Sequence, residues 1–449
     1  MKSPGVVAVI VLLGGTAANA QTSLTIYNDG RVLQRRTVAV RVPAGVSSHQ
    51  LMLGPFDLGT LFTLDSGVAI TGASYDGAQD EANALRRAVG RQLTFATRGG
   101  NGVPETVTAE VMAVDPERFR LADGRVTFQR PGTPQFPAEL VPAQSSLAIG
   151  VRSDKARATL GLGFFSGGAS WSAVYAVTLG KGTARVAGHA AIAVGTLRAD
   201  SVEVQLLAGN VGSAPKAQAF NREVMARAAP MAMAAAGEQQ VGEAHLYTLP
   251  GRFAFVPGVE TSAALFEPAN APFERTFTVR GQLPYWGGLP QNGDEQSEPV
   301  NVTYLIRRAA KTEFGDRPVP GGTVRLYERD VAGRPQLVGE SSIGHTAAGQ
   351  DLRLDAGTAF DLTARRTQAS YETHPENKRT VATANYTVTI ANAKDSVATV
   401  DVLEQRGGEW AVVSSSLPAE KVSSTITRFR VRVPARSEAT LTYRVRVVW

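Results

Sequence analysis

Apolar and polar side chains alternate with a period of two in short segments throughout the chain. In GASWSAVYAV, residues 168–177, Trp171, Ala173 and Tyr175 share one face. Successive side chains of a β-strand point to opposite faces, so this stretch predicts a strand with a buried side. We therefore expect Trp171 and Tyr175 to pack in a core, in preference to forming a ligand-binding platform.

The same alternation recurs later in the chain, and turn sequences separate the segments. It continues around Phe277–Val279, through Phe429–Val433 and from Leu441 to Trp449. The predicted turns are Asn28-Asp29-Gly30, Asp123-Gly124 and the segment from Asp330 to Gly333. Many short strands joined by such turns predict an all-β, multi-domain protein built of β-sandwiches.

One helix is predicted, over DEANALRRAV from Asp80 to Val89, because acidic residues begin it and Gly90 follows it. Five strand-like runs follow the helix within a short length of chain. A short helix followed by compact hairpins predicts a small SH3-like barrel in the N-terminal third. The runs are Gln92–Ala96, Thr106–Val114, Phe119–Ala122, Arg125–Phe128 and a short end near Phe136.

The first residues have the composition of a secretory signal peptide. Lys2 precedes an apolar run from Val6 to Leu13, and Ala18-Asn19-Ala20 supplies small residues at the expected cleavage position. The apolar run is shorter than the roughly 20 residues that span a bilayer, and no later stretch is long and apolar enough to be a membrane helix. The sequence thus predicts export to the periplasm or the extracellular space, in a Gram-negative type of envelope, without a transmembrane span.

The expected domain order follows from these patterns. Residues 212–242 are rich in Ala and Met, and Pro215 and Pro230 interrupt them, which predicts a flexible connector. The predicted segments are a signal peptide (1–20), an N-terminal β module (21–80), the small barrel (81–140), middle sandwich strands (141–211), the connector (212–242) and a C-terminal sandwich (243–449).

Several segments resemble the bacterial mucoidy-inhibitor-A-like secreted family. SLTIYNDGRVLQRRTVAVRVPAGVSSHQL is similar to that family's N-terminal module, and WSAVYAVTL to its middle strands. GGTVRLYERDVAGRPQLVGESSIGHTAAGQDLRLDAGTAFDLTARR, residues 321–366, resembles the family's C-terminal domain of unknown function. The chain lacks the long coiled coil of other members, since it has no sustained heptads. The resemblance implies an extracytoplasmic all-β protein with a link to exopolysaccharide control.

The chemistry-bearing residue types are sparse. The chain has no cysteine and five histidines, and it contains neither H-E-x-x-H, G-x-S-x-G nor a phosphate-binding glycine loop. The leading prediction is therefore a non-enzymatic envelope protein without a cofactor or bound metal. The formal charge of +6 hints only weakly at an anionic partner. We expect an envelope protein or an anionic polysaccharide as the partner, and no nucleic acid.

Two other functions stay open at this point. A polysaccharide hydrolase would need two carboxyl groups about 5–10 Å apart, and Glu328, Asp330, Glu340 and Asp361 lie in the most recognisable block. Asp361, within an apolar strand, is expected to pair with Arg365 or Arg366, or with backbone donors. A structural subunit would pair with its neighbours through an exposed sheet edge.

The sequence also offers a candidate anion-binding site. Alternation places three arginines on one face of a strand and two on one face of another. If the two strands form a terminal hairpin through the turn near Ser437, their guanidinium groups align as a basic ladder that an anionic polymer could bind. Pairing with acids such as Glu404 or Glu409 is the alternative. The five residues are Arg428, Arg430, Arg432, Arg444 and Arg446.

Overall fold

A computed structural model describes residues 22–77, 80–98, 102–141, 144–209, 238–242, 244–281 and 295–448. The predicted signal peptide and most of the predicted connector lie outside these described residues. Within them, no helix is long and apolar enough to cross a membrane.

Strands dominate the described residues, and the prediction of an all-β, multi-domain fold is confirmed. The helices are α1 (Glu81–Arg87) and α2 (Glu313–Asp316), and Leu58–Thr60 and Ala138–Leu140 form short 3₁₀ turns. The strands of the first half are β1 (Thr22–Tyr27), β2 (Val32–Val42), β3 (Gly45–Met52), β4 (Phe62–Thr63), β5 (Val68–Asp76), β6 (Gln92–Arg98), β7 (Pro104–Val114), β8 (Glu117–Leu121), β9 (Val126–Thr127), β10 (Thr133–Gln135), β11 (Ser146–Ser153), β12 (Arg157–Ser166), β13 (Ala169–Leu179), β14 (Thr183–Val194) and β15 (Ala199–Ala208). Those of the second half are β16 (Glu238–Val241), β17 (Ala244–Thr248), β18 (Phe253–Phe255), β19 (Glu260–Gly281), β20 (Glu295–Ile306), β21 (Gly322–Arg329), β22 (Pro335–Ile343), β23 (Leu352–Glu376), β24 (Arg379–Asn392), β25 (Ala398–Gln405), β26 (Glu409–Ser415), β27 (Ala419–Lys421), β28 (Ile426–Val433) and β29 (Ser437–Val448).

The chain divides into two units, each assembled from non-contiguous segments because strands distant in sequence pair with each other. The division separates the middle strands, residues 141–211, between both units, so it follows pairing and not the linear order of the predicted segments. The first unit comprises Met1–Ser170, Ala193–Leu206 and Pro250–Val259, and the second comprises Trp171–Ile192, Leu207–Leu249 and Glu260–Trp449.

In the first unit, two sheets enclose an apolar core. One contains β1, β2, β12 and β4 in that order, and the other has the order β3-β11-β5. Their alternating residues meet in a cluster that includes Val42, Leu147, Ile149, Leu162 and Phe164. The predicted turn before β2 is confirmed, since Gly30 adopts a φ of 87° that favours glycine.

In the segment of this unit that was predicted as a small SH3-like barrel, the helix and the strands lie where the sequence predicted them. Asp80 caps α1 by accepting a hydrogen bond from the Asn83 backbone N–H at 2.9 Å. The five strands after it form one antiparallel sheet in the order β10-β6-β7-β8-β9. Phe95 and Phe119 meet edge-on inside it, with 5.3 Å between ring centroids, and Leu85 of α1 packs in the same cluster.

The second unit is a large curled sheet. Its strand order is β22-β21-β13-β14-β19-β20-β23-β24-β29-β26, and β25 joins β19 to β28, with β27 beside β28. The β13–β21 and β19–β25 pairs are parallel. The C-terminal part of the sheet rolls around a core that contains Val279, Leu362, Val402, Phe429 and Tyr443.

Trp171 and Tyr175 lie in the interior of the second unit, and the prediction that they are core residues is confirmed. They are 3 % and 1 % exposed, respectively. The Trp171 indole N–H donates to the Leu207 carbonyl at 3.3 Å, and the Tyr175 hydroxyl donates to the Pro320 carbonyl at 2.7 Å. These bonds satisfy the polar ends of two otherwise apolar side chains. Burial raises the pKa of Tyr175 above its ordinary value.

Candidate functional site

The five arginines of the predicted ladder lie on two strands that do not pair with each other. β28 pairs with β25 and β27, whereas β29 pairs with β24 and β26. Five strands separate β28 from β29 in the order of the sheet. The predicted terminal hairpin is therefore wrong. The two strands do not pair because their buried faces meet in the core. Phe429 and Tyr443 project inward from the two strands and contact each other, with 4.9 Å between ring centroids.

Acidic neighbours engage three of the five arginines. Arg428 pairs with Glu420 at 2.6 Å, and this hydrogen bond holds the pKa of the Glu420 carboxyl below its usual value. Arg430 pairs with Asp401 at 3.3 Å, and Arg446 pairs with Glu376 at 2.9 Å. These ion pairs agree with the alternative to the basic ladder, in which the arginines pair with acids.

The acids named for that alternative lie elsewhere. Glu404 pairs with Arg366 and Arg406, and Glu409 pairs with Arg379. Arg432 and Arg444 are exposed, and within the described ranges neither makes an ion pair. The structure thus leaves two separate arginines on β28 and β29 instead of a continuous row.

The four carboxylates considered for hydrolysis occupy ordinary strand and turn positions. Glu340 pairs with Arg325 on the neighbouring strand at 3.0 Å, and Glu328 is exposed near the end of the same hairpin. Asp330 accepts backbone N–H bonds from Ala332 and Arg334, each at 2.9 Å. The Arg334 N–H is the main cause that lowers the pKa of Asp330. This is the arrangement of a turn, which Asp stabilises by such bonds.

Asp361 is exposed on β23, and Lys394 lies 4.0 Å from its carboxylate. The expected pairing of Asp361 with Arg365 or Arg366 is wrong. Arg365 points outward to Glu438 at 3.3 Å, whereas Arg366 points inward to other glutamates. The reason is alternation, since Asp361 and Arg366 project from opposite faces of the strand.

A network of buried ionic groups lies inside the second unit, and sequence reasoning missed it. Arg366 donates from Nε to Glu298 at 2.6 Å and from Nη1 to Glu404 at 3.0 Å. The Tyr443 hydroxyl donates to Glu404 at 2.6 Å, and Arg406 pairs with the other carboxylate oxygen at 2.7 Å. Two cations and two anions therefore balance in the interior, as buried charges require.

The electrostatics of this network follow from burial and from the opposed charges. Burial alone would lower the pKa of Arg366, but Tyr443, Glu404 and Glu298 raise it above its ordinary value. Burial raises the pKa of Tyr443. A sequence signal did exist: Arg366 shares its face of the strand with the buried Leu362 and Ala364, so its position predicts an inward charge.

The edge strand β22, at one end of the curled sheet, is a second feature that the sequence analysis did not locate. β22 stands at one end of the strand order and pairs with β21 alone. Its Leu337 is 57 % exposed and Val338 is 39 % exposed, although both are apolar. β23 covers another part of the strand: the Asp355 backbone N–H donates to Ser341 Oγ at 3.1 Å.

Three of the five histidines make individual polar contacts that the structure shows directly. His49 Nε2 lies 2.8 Å from Ser47 Oγ, and His345 Nδ1 accepts from the Gly321 backbone N–H at 3.1 Å. His374 lies 3.7 Å from Glu376. No group of three or more His, Asp or Glu residues in the part of the chain that the structure describes could hold a metal ion.

Comparison of the chain with protein-family models and with curated proteins finds no match.

Proposed function

We propose that this chain is an exported, non-enzymatic binding protein of the cell envelope, similar to the mucoidy-inhibitor-A-like family. Its partner is another envelope protein, which adds an extended segment to the free edge of β22. The observation that carries this proposal is the exposed apolar pair Leu337 and Val338 on a strand that has only one paired neighbour.

Edge strands present unpaired backbone N–H and C=O groups, which another strand can bind. Folded proteins usually protect such edges with charges, with proline or by making the strand short. β22 carries Pro335 at its beginning and Glu340 near its far end, but Leu337 and Val338 lie between them. Contiguous exposed apolar residues are typical of surfaces that bind other proteins.

The contacts of the carboxylates support a binding protein over a hydrolase. Glu340 and Asp361 face cationic side chains, and Asp330 organises a turn. A general acid needs a raised pKa, whereas the pKa of Asp330 is lowered. These three carboxyls therefore already have structural partners.

Site-specific crosslinking tests the proposal. A photoreactive residue replaces Leu337 in the exported protein in its native envelope, and the adducts are identified by mass spectrometry. Val413 of β26 is the matched control position, because it is equally exposed at 57 %. We expect one heterologous protein adduct at position 337, absent at position 413 and lost with Val338→Pro, because proline removes a backbone donor from the strand.

Two outcomes would overturn the proposal. No adduct at position 337, or the same adducts at positions 337 and 413, would show that the edge has no specific protein partner. A crosslink between two copies of this chain would instead favour a structural assembly subunit.

A further inference from the structure

Arg36 lies on the core-facing side of β2, in the first unit. On this side of the strand it is flanked by Gln34, which is buried, and by Val38, which packs on the apolar cluster. Its partner in register on β12 is Leu162, which is fully buried, and its partner on β1 is Thr22. Arg36 is thus half-buried at a position where the neighbouring side chains form a core.

Arg36 has no counter-charge among the described residues. Its Nε is buried and has no hydrogen-bond partner, and burial is the cause that lowers the pKa of its guanidinium. Arg308, which is buried as a whole residue, instead donates to the carbonyl oxygens of Phe314 and Gln350. Arg35, the preceding residue, donates to the Thr25 hydroxyl at 3.0 Å.

An unpartnered N–H of a charged group is costly in an apolar environment, so such groups normally have an acceptor. Polar neighbours stand around Arg36 on the same face. Thr22 is directly across the strand pair, and Gln34 donates to the Ser166 hydroxyl at 2.8 Å. Cross-strand neighbours have Cβ atoms about 5 Å apart, which is within the reach of one small ligand. Apolar walls with a few convergent polar groups are characteristic of ligand sites.

We propose that Arg36 binds an oxyanion, a carboxylate or a phosphate, which accepts hydrogen bonds from its guanidinium group with Thr22 and Gln34 beside it. The planar guanidinium fits both groups because it donates two parallel hydrogen bonds. This inference is independent of the partner proposed for β22.

The test is the thermal unfolding midpoint of the mature protein in acetate, phosphate or chloride at equal pH and ionic strength. The wild type is compared with Arg36→Met and with Arg41→Met. Arg41 lies on the same strand but is exposed, so the second variant loses the same charge. Phosphate also stabilises proteins by exclusion from their surface, and the two variants correct for that effect.

For the wild type, we expect a rise of about 2–4 °C over chloride in at least one oxyanion, when its concentration is about ten times the dissociation constant. Arg41→Met should retain this rise, and Arg36→Met should lose it. The anion that gives the larger rise tells whether a carboxylate or a phosphate is bound. An equal rise in wild type and Arg36→Met would overturn the proposal.

A purely structural role for Arg36 makes a different prediction. In chloride, Arg36→Met should then unfold at a lower temperature than the wild type, whereas an unpaired cation predicts an equal or higher midpoint. If Arg36→Met fails to fold in chloride, Arg36→Gln takes its place in the test. If Arg36→Gln also fails to fold, the proposal is overturned. If Arg36→Gln folds, it must lack the oxyanion-dependent rise, and an unchanged rise in that variant also overturns the proposal.

Discussion

Arg366 and Glu404 form an ion pair of 3.0 Å, and their side chains are only 2 % and 1 % exposed. Arg366 lies on β23 and Glu404 on β25, two strands that do not pair with each other. Tyr443 of β29 completes the contact through its hydroxyl. The ion pair and the Tyr443 hydroxyl together therefore link three strands across the interior of the second unit.

Removing one partner of this pair should destabilise the protein strongly, because the other charge stays buried without compensation. We expect Arg366→Met to lower the free energy of unfolding by about 3–5 kcal/mol. Arg365→Met is the control, since Arg365 is exposed and its ion pairs contribute about 1 kcal/mol or less. Urea unfolding measures both. Equal losses for the two variants would contradict the assignment of a buried pair.

Gly281 lies against this network, and a larger residue there should disturb it. A Cβ at Gly281 would lie 2.8 Å from Arg366 Nη2 and 2.9 Å from Glu404 Oε2. We expect Gly281→Ala to cost about 1–3 kcal/mol, as for other overpacked sites. Gly344→Ala is the control, because a Cβ there meets no atom within 4 Å. Calorimetry that finds the two variants equally stable would disagree with this geometry.

Alkaline pH should weaken the fold through Tyr443. Burial raises the pKa of Tyr443, so above about pH 10 the unfolded chain releases a proton that the folded chain retains. The stabilisation is complete below that pH and decreases as the pH rises, by about 1.4 kcal/mol per pH unit for one such group. Tyr443→Phe should reduce the slope of the unfolding free energy against pH. An unchanged slope in Tyr443→Phe would rule out this contribution.

Trp171→Ala should lower the free energy of unfolding by about 3–5 kcal/mol, because it removes a large buried side chain and leaves a cavity. Phe360→Ala is the aromatic control: Phe360 is 95 % exposed, and surface substitutions cost about 0.5 kcal/mol or less. Chemical denaturation measures the free energy of unfolding of both variants. Full stability of the Trp171 variant would contradict its place in the core.

The basic-ladder hypothesis has a direct test in Arg430→Ser combined with Arg444→Ser. Arg430 already has Asp401 as its partner, and the two arginines lie on strands that do not pair. We therefore expect wild type and double variant to elute from an anionic polysaccharide at the same salt concentration. Earlier elution of the double variant would show that Arg430 and Arg444 bind anions without forming a ladder, because removing exposed charge contacts weakens salt-sensitive binding.

Local patterns in the sequence predicted the local structure well. Alternation located the strand that holds Trp171 and Tyr175, and Asp80 correctly marked the beginning of α1. The pairing of strands was harder, because adjacent strands such as β28 and β29 share a core without sharing hydrogen bonds. Alternation says which face of a strand is buried but not which strand lies beside it.

The buried network shows the same limit. The inward position of Arg366 was visible in the sequence, but its partners Glu298 and Glu404 come from strands far apart along the chain. Nothing in the local sequence of any of the three identifies the other two. The Arg36 position is similar, since only the structure shows that its buried Nε has no hydrogen-bond partner among the described residues.

The parallel β13–β21 and β19–β25 pairs have a consequence for how the second unit folds. β13 meets β21 and β19 meets β25 only after long intervening stretches of chain have been synthesised. Contacts between residues distant in sequence carry a large loop-closure cost and slow the search for the native state. The unit should therefore form late and cooperatively, and β24 would remain partly unpaired until β29 is available. A nascent chain that stops before β29 would expose this strand to aggregation.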